Sequence, residues 1–258
     1  MDLTIVIVSF KSGEILHRCL ESIHKDLQII VIENSIDNNF KIELETKYKN
    51  VKCILPEQNL GYGAGNNLGI NLAKSNYVLI LNPDTILYEN TIPNLMYQAD
   101  LIKDFAIMGP KIVENDIQVK LKEKIDFQSV DYIKGFAILF NKKKFSDPKY
   151  FDENFFLYFE EIDLCREITN RKGEIYIDPK IKVFHEGGKS VDQAYNFEIE
   201  KNRNWHWMWS TFYYHRKYNN FMYALFMVIP KLLSSLFRIF IYTLVFQRKK
   251  RDIYSCRL

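Results

Sequence analysis

An α/β fold with a mostly parallel central sheet, extended at its C-terminal end by an apolar helix, is predicted from three observations. Strand and helix signals alternate through the first third of the chain. The strand candidates there are nearly continuous apolar runs, the pattern of strands buried on both faces. From residue 219 the composition changes to a long apolar segment followed by basic residues.

The run Leu3-Thr4-Ile5-Val6-Ile7-Val8 has strand length and β-branched character, and Lys11 follows too soon for a signal peptide. Residues 5–10 are read as a first strand. Residues 13–24 predict a helix, because Ile15, Leu16, Cys19, Leu20 and Ile23 keep a 3.6-residue period. Residues 28–33 form a second strand that ends in the polar turn Asn34-Ser35-Ile36-Asp37, and residues 51–55 a third. A glycine-rich turn is expected over 60–65 and a helix over 66–74. A fourth strand, 77–81, stops at Asn82-Pro83-Asp84, where proline cannot continue a central strand. In a parallel sheet ligands bind beyond the C-terminal strand ends, so Asp37, Asn59 and Asp84 are expected to converge there.

After Asp84 the pattern predicts a helix over 91–102, a strand over 106–113 and a polar loop or edge hairpin over 114–127. A strand over 133–140 contains Gly135, and two short strands, 175–177 and 182–184, bracket Asp178-Pro179. No segment rich in Gly, Pro or Ser divides the first 200 residues. The organisation expected is one domain over 1–215 and a membrane-associating tail over 216–258.

Composition narrows the function classes. At 258 residues, 47% hydrophobic and 26% charged, the chain can bury a large core and is not disordered. Its net charge of +3 is spread too thinly for a nucleic-acid partner. Cys19, Cys53, Cys165 and Cys256 are too widely spaced for a zinc site or disulfide framework, which fits a reduced, cytoplasmic compartment. No G-x-G-x-x-G follows the first strand and no G-x-x-x-x-G-K-[ST] is present, so a dinucleotide enzyme or P-loop ATPase is not expected.

Residues 221–246 hold 20 apolar residues in 26, long enough to cross a membrane. Lys231, Ser234, Ser235 and Arg238 recur every three or four residues and share a face, which points instead to a helix lying in the interface. Residues 247–258 then carry five basic side chains and one acidic. Such a cluster beside an apolar helix favours anionic cytoplasmic lipid. A span, and a buried helix with a solvated tail, are the alternatives.

Four segments hold residues suited to chemistry. Asp84 stands at a strand end, where a carboxylate can bind a divalent cation or a substrate hydroxyl; it can equally be a turn residue. Three carboxylates, Glu160, Glu161 and Asp163, crowd within four positions among aromatic residues. Mutual repulsion and shielding raise a carboxyl pKa and make a general base; acidic residues at a helix start for dipole reasons give the same pattern. His185 ends a short apolar strand before Gly187-Gly188 and could join Asp84 in a mixed O/N site for Mg²⁺ or Mn²⁺. The glycine-rich stretch from Asn59 to Asn67 could present backbone N–H groups to a phosphate or serve close helix–sheet packing.

In this order the segments resemble the inverting family-2 glycosyltransferases of GT-A fold, with its Rossmann-like sheet, and in particular the rhamnosyltransferase-like branch that builds bacterial surface polysaccharides. The resemblance covers residues 3–215. It is carried by Thr4-Ile5-Val6-Ile7-Val8-Ser9-Phe10, Asn59-Leu60-Gly61-Tyr62-Gly63-Ala64-Gly65-Asn66-Asn67, Leu81-Asn82-Pro83-Asp84, the Phe156-to-Arg166 segment and His185. It implies that Asp84 is the last acid of a DxD-like motif at the metal and diphosphate, with Asn82 in place of the first acid. It further implies that His185 is a second metal ligand and Glu161 the catalytic base, with Asp163 as its rival. Glu33 would sit near the nucleoside, Asn59, Gly63 and Asn66 would line the donor pocket, and Gly135 would lie on the acceptor side.

The segment Glu33-Asn34-Ser35-Ile36-Asp37 is one residue shorter than the family's usual acidic run, which alters the expected nucleoside contacts. The implied reaction is single-displacement transfer from a nucleotide-diphosphate sugar, dTDP-rhamnose first and UDP-hexoses or UDP-galactofuranose next. The implied cofactor is Mg²⁺ or Mn²⁺. The implied acceptor is a lipid-linked glycan or oligosaccharide at the inner face of the plasma membrane, with aromatic residues from Trp205 to Tyr214 expected beside it or in the core. Homo-oligomerisation stays open. Rival readings are a nucleotidyltransferase, for which Ser9-Phe10-Lys11-Ser12-Gly13 makes a poor phosphate loop, and a non-catalytic membrane scaffold.

Overall fold

The computed structural model describes residues 1–113, 128–187, 191 and 196–258. The expected loop over 114–127 lies outside them, as do Gly188, Lys189 and Ser190. Contacts divide the chain into two compact units. One holds Met1–Asp152 and Glu161–Asp192, the other Glu153–Glu160 and Gln193–Leu258.

The first unit is built on β1 (Leu3–Ser9), β2 (Gln28–Glu33), β3 (Val51–Ile54) and β4 (Tyr77–Leu81). These strands pair in parallel in the order β3-β2-β1-β4, with Ser9 opposite Glu33 and Ile7 opposite Leu81. Side chains alternate across the sheet. Ile5, Ile7, Ile29 and Leu79 pack with Leu16, Cys19 and Leu20 of α1 (Gly13–Glu21) and with Leu44 of α2 (Asn38–Lys47). Val6, Ile30, Ile32, Val78 and Ile80 pack on the other face with Ile70 of α3 (Gly61–Leu72). Burial on both faces is why the strands are apolar without alternation.

Past Leu81 the sheet becomes mixed. The remaining elements are β5 (Thr85–Leu87), α4 (Thr91–Ile102), β6 (Ile107–Val113), β7 (Gln128–Ser129), β8 (Ala137–Asn141), α5 (Glu160–Asn170) and β9 (Ile175–His185). Among the described residues the order continues β4-β8-β6-β9-β5, with β7 on β9. The β4–β8, β6–β8, β5–β9 and β7–β9 pairs are antiparallel. A buried apolar strand reads alike in either direction, so hydropathy alone extended the parallel arrangement too far.

Three expected boundaries are corrected. The glycine-rich stretch expected as a turn is itself helical, since α3 starts at Gly61. Gly65 and Gly69 allow this close approach: a Cβ at 65 would lie 3.0 Å from Val8 and one at 69 only 2.3 Å from Val6 Cγ1. The two short strands around Asp178-Pro179 are one strand, β9, whose register against β6 shifts beside Pro110/Lys111; a bulge tolerates the proline. Gly135 precedes β8 rather than lying within it.

The second unit holds α6 (Asn196–Tyr218), α7 (Phe221–Leu244) and α8 (Arg248–Ser255). The second unit therefore takes in all of α6 together with segment 153–160. Aromatic residues of α6 explain this, because they pack on segment 153–160: Tyr213 against the fully buried Phe155 at 4.9 Å and His206 against Phe156 at 4.1 Å. Ser210 also donates to Leu157 O at 2.8 Å. Tyr213 and His206 thus take part in packing, whereas Trp205 and Trp209 are exposed. Asn220 caps α7 by accepting from Tyr223 N at 2.9 Å.

Candidate active site

The parallel strand ends gather buried polar atoms. Ser9 and Glu33 are side by side, both fully buried. Glu33 Oε1 accepts from Ser35 N at 2.8 Å and from the Ser35 hydroxyl, while Glu33 Oε2 and Ser9 Oγ are buried with no hydrogen-bond partner among the described residues. Asn66, on α3, donates from Nδ2 to Tyr62 O at 3.0 Å, and its Oδ1 has no partner among the described residues. Buried polar atoms without partners are costly, and a polar ligand relieves that cost. Gly63 is buried in the same helix.

Asn59 uses its Oδ1 to accept from Gly61 N at 3.0 Å, fixing the entry to α3. Asp37 does not join the group: its carboxylate caps α2, accepting from Asn39 N at 2.9 Å and Phe40 N at 3.0 Å. The helix it starts had no apolar period to reveal it. Asn34, not singled out in the sequence, bridges β2 and α3 by donating to Gly61 O at 3.0 Å and accepting from Leu60 N at 3.3 Å.

Asp84 and His185 come together because β5 and β9 pair antiparallel, setting His185 opposite Thr85. His185 Nε2 lies 3.4 Å from the buried Asp84 Oδ1. Its ring stacks on Phe136 at 4.8 Å. Below them Cys19 donates to Asn82 O at 3.7 Å, and burial followed by the Asp84 charge pushes its thiol up to about 12. The cysteine is therefore an inert packing group. Asn82 is half-buried and anchored through its backbone N–H to Phe136 O at 2.8 Å.

The carboxylates of α5 part company. Glu160 and Asp163 are buried, with Leu164 and Cys165 packed inward as the helical period requires, while Glu161 is half-buried. Burial raises the Glu161 pKa above the usual carboxyl value. N–H groups of Glu161 and Ile162 at the helix start, together with the Tyr132 hydroxyl, oppose that rise. Two residues preceding the helix, Tyr158 and Phe159, both have φ of +72°. Two successive bulky residues there are strained, by about 1–3 kcal/mol each.

One dipeptide joins the two halves of the site. Gly135 lies against Glu161: a Cβ there would stand 3.5–3.6 Å from the Glu161 side chain. The next residue, Phe136, is the ring under His185. Tyr62 of α3 donates to Gly135 O, bringing the glycine-rich helix to the same point.

The sequence matches the family described as Glycosyl transferase family 2 over residues 4–166. The chain belongs to glycosyl transferase family 2. Its curated relatives include "Low-salt glycan biosynthesis hexosyltransferase Agl10" of Haloferax volcanii, 24% identical over 64% of this chain and 60% of that protein. "Glycosyltransferase GlyG" of Streptococcus pneumoniae is 30% identical over 38% of this chain and 35% of its own. The chain thus spans three-fifths or less of these relatives. Among solved structures, S. aureus TarS 1-349 matches with a TM-score of 0.59 at 14% identity, covering 100% of this chain and 90% of that one. GalNAc-T7 with UDP, GalNAc and Mn²⁺ matches with a TM-score of 0.58 at 12% identity, over 83% of this chain and 50% of that one. These likenesses establish the GT-A-like fold of family 2.

The family implies a divalent cation. Among the described residues no group of three or more His, Cys, Asp and Glu could hold one. The Asp84–His185 pair nevertheless fits. His185 Nε2 is buried with no hydrogen bond among the described residues and lies 3.4 Å from a carboxylate oxygen, and Mg²⁺ or Mn²⁺ sites commonly complete their shell with ligand phosphates and water.

Proposed function

We propose that this chain is a metal-dependent, inverting hexosyltransferase that moves a sugar from a nucleotide diphosphate to a glycan acceptor. The observation that carries this reading is the Gly135-Phe136 dipeptide. One of its residues touches the carboxyl suited to a general base and the next stacks on the histidine of the cation pair. A donor held at Asp84 and His185 would then lie within reach of an acceptor at Glu161.

When bound, the cation neutralises charge on the departing diphosphate. The chain's own groups do the rest. Ser9, Glu33 and Asn66 offer unpaired buried atoms to the nucleoside and sugar. Glu161 takes the proton from the acceptor hydroxyl as that oxygen attacks the anomeric carbon, and a carboxylate with an elevated pKa is the better base. Attack opposite the leaving group inverts the configuration with no covalent intermediate.

For the donor we favour dTDP-rhamnose and for the acceptor a lipid-linked glycan, both on the motif resemblance. A UDP-hexose or UDP-galactofuranose is the second reading. The test is hydrolysis and binding of a nucleotide-sugar panel with Mn²⁺, Mg²⁺ or chelator. Cation-dependent turnover of one donor supports the reaction and names the sugar. Failure to bind any nucleotide diphosphate with cation supports the scaffold reading instead.

A further inference from the structure

Helix α7 turns part of its polar stripe toward its neighbours. Ala224, Val228 and Ser235 are buried, and Lys231 lies over the Trp207 ring of α6 at 4.6 Å. Arg238 donates to Tyr254 Oη of α8 at 2.7 Å. The polar stripe read from the sequence therefore contacts α6 through Lys231 and α8 through Arg238, with Ser234 and the rest of Arg238 exposed. Phe226, Leu233, Phe237 and Phe240 point the other way, 60–70% exposed, and Phe246 at the following turn is 87% exposed. Only 17% of the most apolar stretch of this helix is buried. A helix docked on a water-soluble core shows the opposite pattern, and a contiguous apolar face of this kind marks an interaction surface.

Charge selects the occupant. Arg248, Lys249 and Lys250 are exposed at the start of α8, directly after the apolar turn. Residues 247–258 offer only Asp252 in return, and Arg251 engages it at 2.9 Å. A second copy would bring the same cations to the face, whereas an anionic bilayer complements both the apolar face and its basic rim.

We propose that α7 lies in the plane of an anionic bilayer, its apolar face at the acyl boundary and the basic residues of α8 among the headgroups. At 24 residues, or about 36 Å, it is long enough to cross the hydrocarbon layer. The course of α8 argues against crossing. It folds back along α7, with Tyr254 stacked on Tyr242 at 5.7 Å, Lys250 over Tyr242 at 5.6 Å and Arg257 over Trp207 at 5.1 Å. End-on insertion would carry these cations, with Arg238 and Lys231, into hydrocarbon, where charge is strongly disfavoured. In-plane insertion leaves them at the interface. The inference concerns the C-terminal unit alone and stands whichever donor the enzyme uses.

The test is flotation of the full chain with vesicles of phosphatidylcholine, with and without about 30 mol% phosphatidylglycerol. Binding should be at least about tenfold tighter on the anionic vesicles, and Lys249→Ala with Lys250→Ala should weaken it about 30-fold. Phe237→Glu with Phe240→Glu changes exposed residues, so the fold should persist by circular dichroism while flotation is lost. Depth is read with a fluorophore on single cysteines at 226, 233 and 240 in a Cys256→Ser background, the other cysteines being buried. Shallow brominated lipids should quench all three best. Deep quenching confined to 233 would mean a span and overturn the proposal. So would equal binding to neutral vesicles, or a lipid-free dimer that the Phe237/Phe240 variant dissociates.

Discussion

The Tyr132 hydroxyl donates a hydrogen bond to Glu161 Oε1 at 3.2 Å, joining the segment before β8 to the first turn of α5. Two opposing influences meet on that carboxyl: burial raises its pKa and the phenol lowers it. Tyr132→Phe removes only the lowering contact. The acid limb of the pH–rate profile should move to higher pH, with kcat preserved on the alkaline plateau, in a pH series on the proposed transfer reaction. An unmoved limb would mean that Glu161 does not set it.

Glu161→Gln keeps the shape and removes the proton acceptor. Transfer should fall about 10²- to 10⁴-fold while donor binding by calorimetry stays within a few-fold. Asp163→Asn is the control, because Asp163 is buried and packed inward. Its folded fraction should keep turnover within a few-fold, and a reversed outcome would transfer the role to Asp163.

The same substitution has a signature in stability. A carboxyl whose folded pKa is raised favours folding below its unfolded pKa, and that contribution is lost as pH rises through the folded value. At neutral pH the ionised Glu161 is therefore a burden on the fold. Glu161→Gln should melt higher than the parent chain near pH 7, with the gap closing toward pH 4. Thermal unfolding across that range checks it.

Asp84→Asn and His185→Ala should each weaken cation-dependent binding of a nucleoside diphosphate by about 10- to 100-fold. Titration calorimetry with Mn²⁺ measures this. Binding in chelator should be the same for both variants and the parent, which separates lost cation affinity from a collapsed pocket.

Gly69→Ala should destabilise the first unit by about 1–3 kcal/mol, since the new methyl would lie 2.3 Å from Val6 Cγ1 in a fully buried strand. Adding Val6→Ala should return part of the loss in denaturant titration. Additive losses would mean that the two residues do not oppose each other.

Much of this was legible in the residues because it rests on burial. The runs at residues 3–8, 28–33 and 77–81 announced their strands, and the period through Ile15 and Cys19 announced α1. Strand direction was not legible, because β8 and β4 are equally apolar whichever way they run. Helix α2 was missed because Asn38–Lys47 buries only Leu44. Asp84, His185 and Glu161 stood out by their settings at strand and helix ends, and the structure brings the first two together. Tyr132 and Asn34 were not, because each matters through a partner remote in sequence that only folding reveals. The polar positions of α7 were read correctly as one stripe, but a stripe does not say whether it faces water or protein.

The place of β9 bears on how the molecule is assembled. This strand enters between β6 and β5, and its last residue meets Asp84 from a position 101 residues further along the chain. A ribosome that has released β1 to β4 has delivered the buried polar atoms at the parallel strand ends but not the histidine that meets Asp84. Closing so long a loop is slow. This strand both fills the gap in the sheet and brings His185 to Asp84, so a chain interrupted before residue 185 would keep the parallel scaffold and lack that pair.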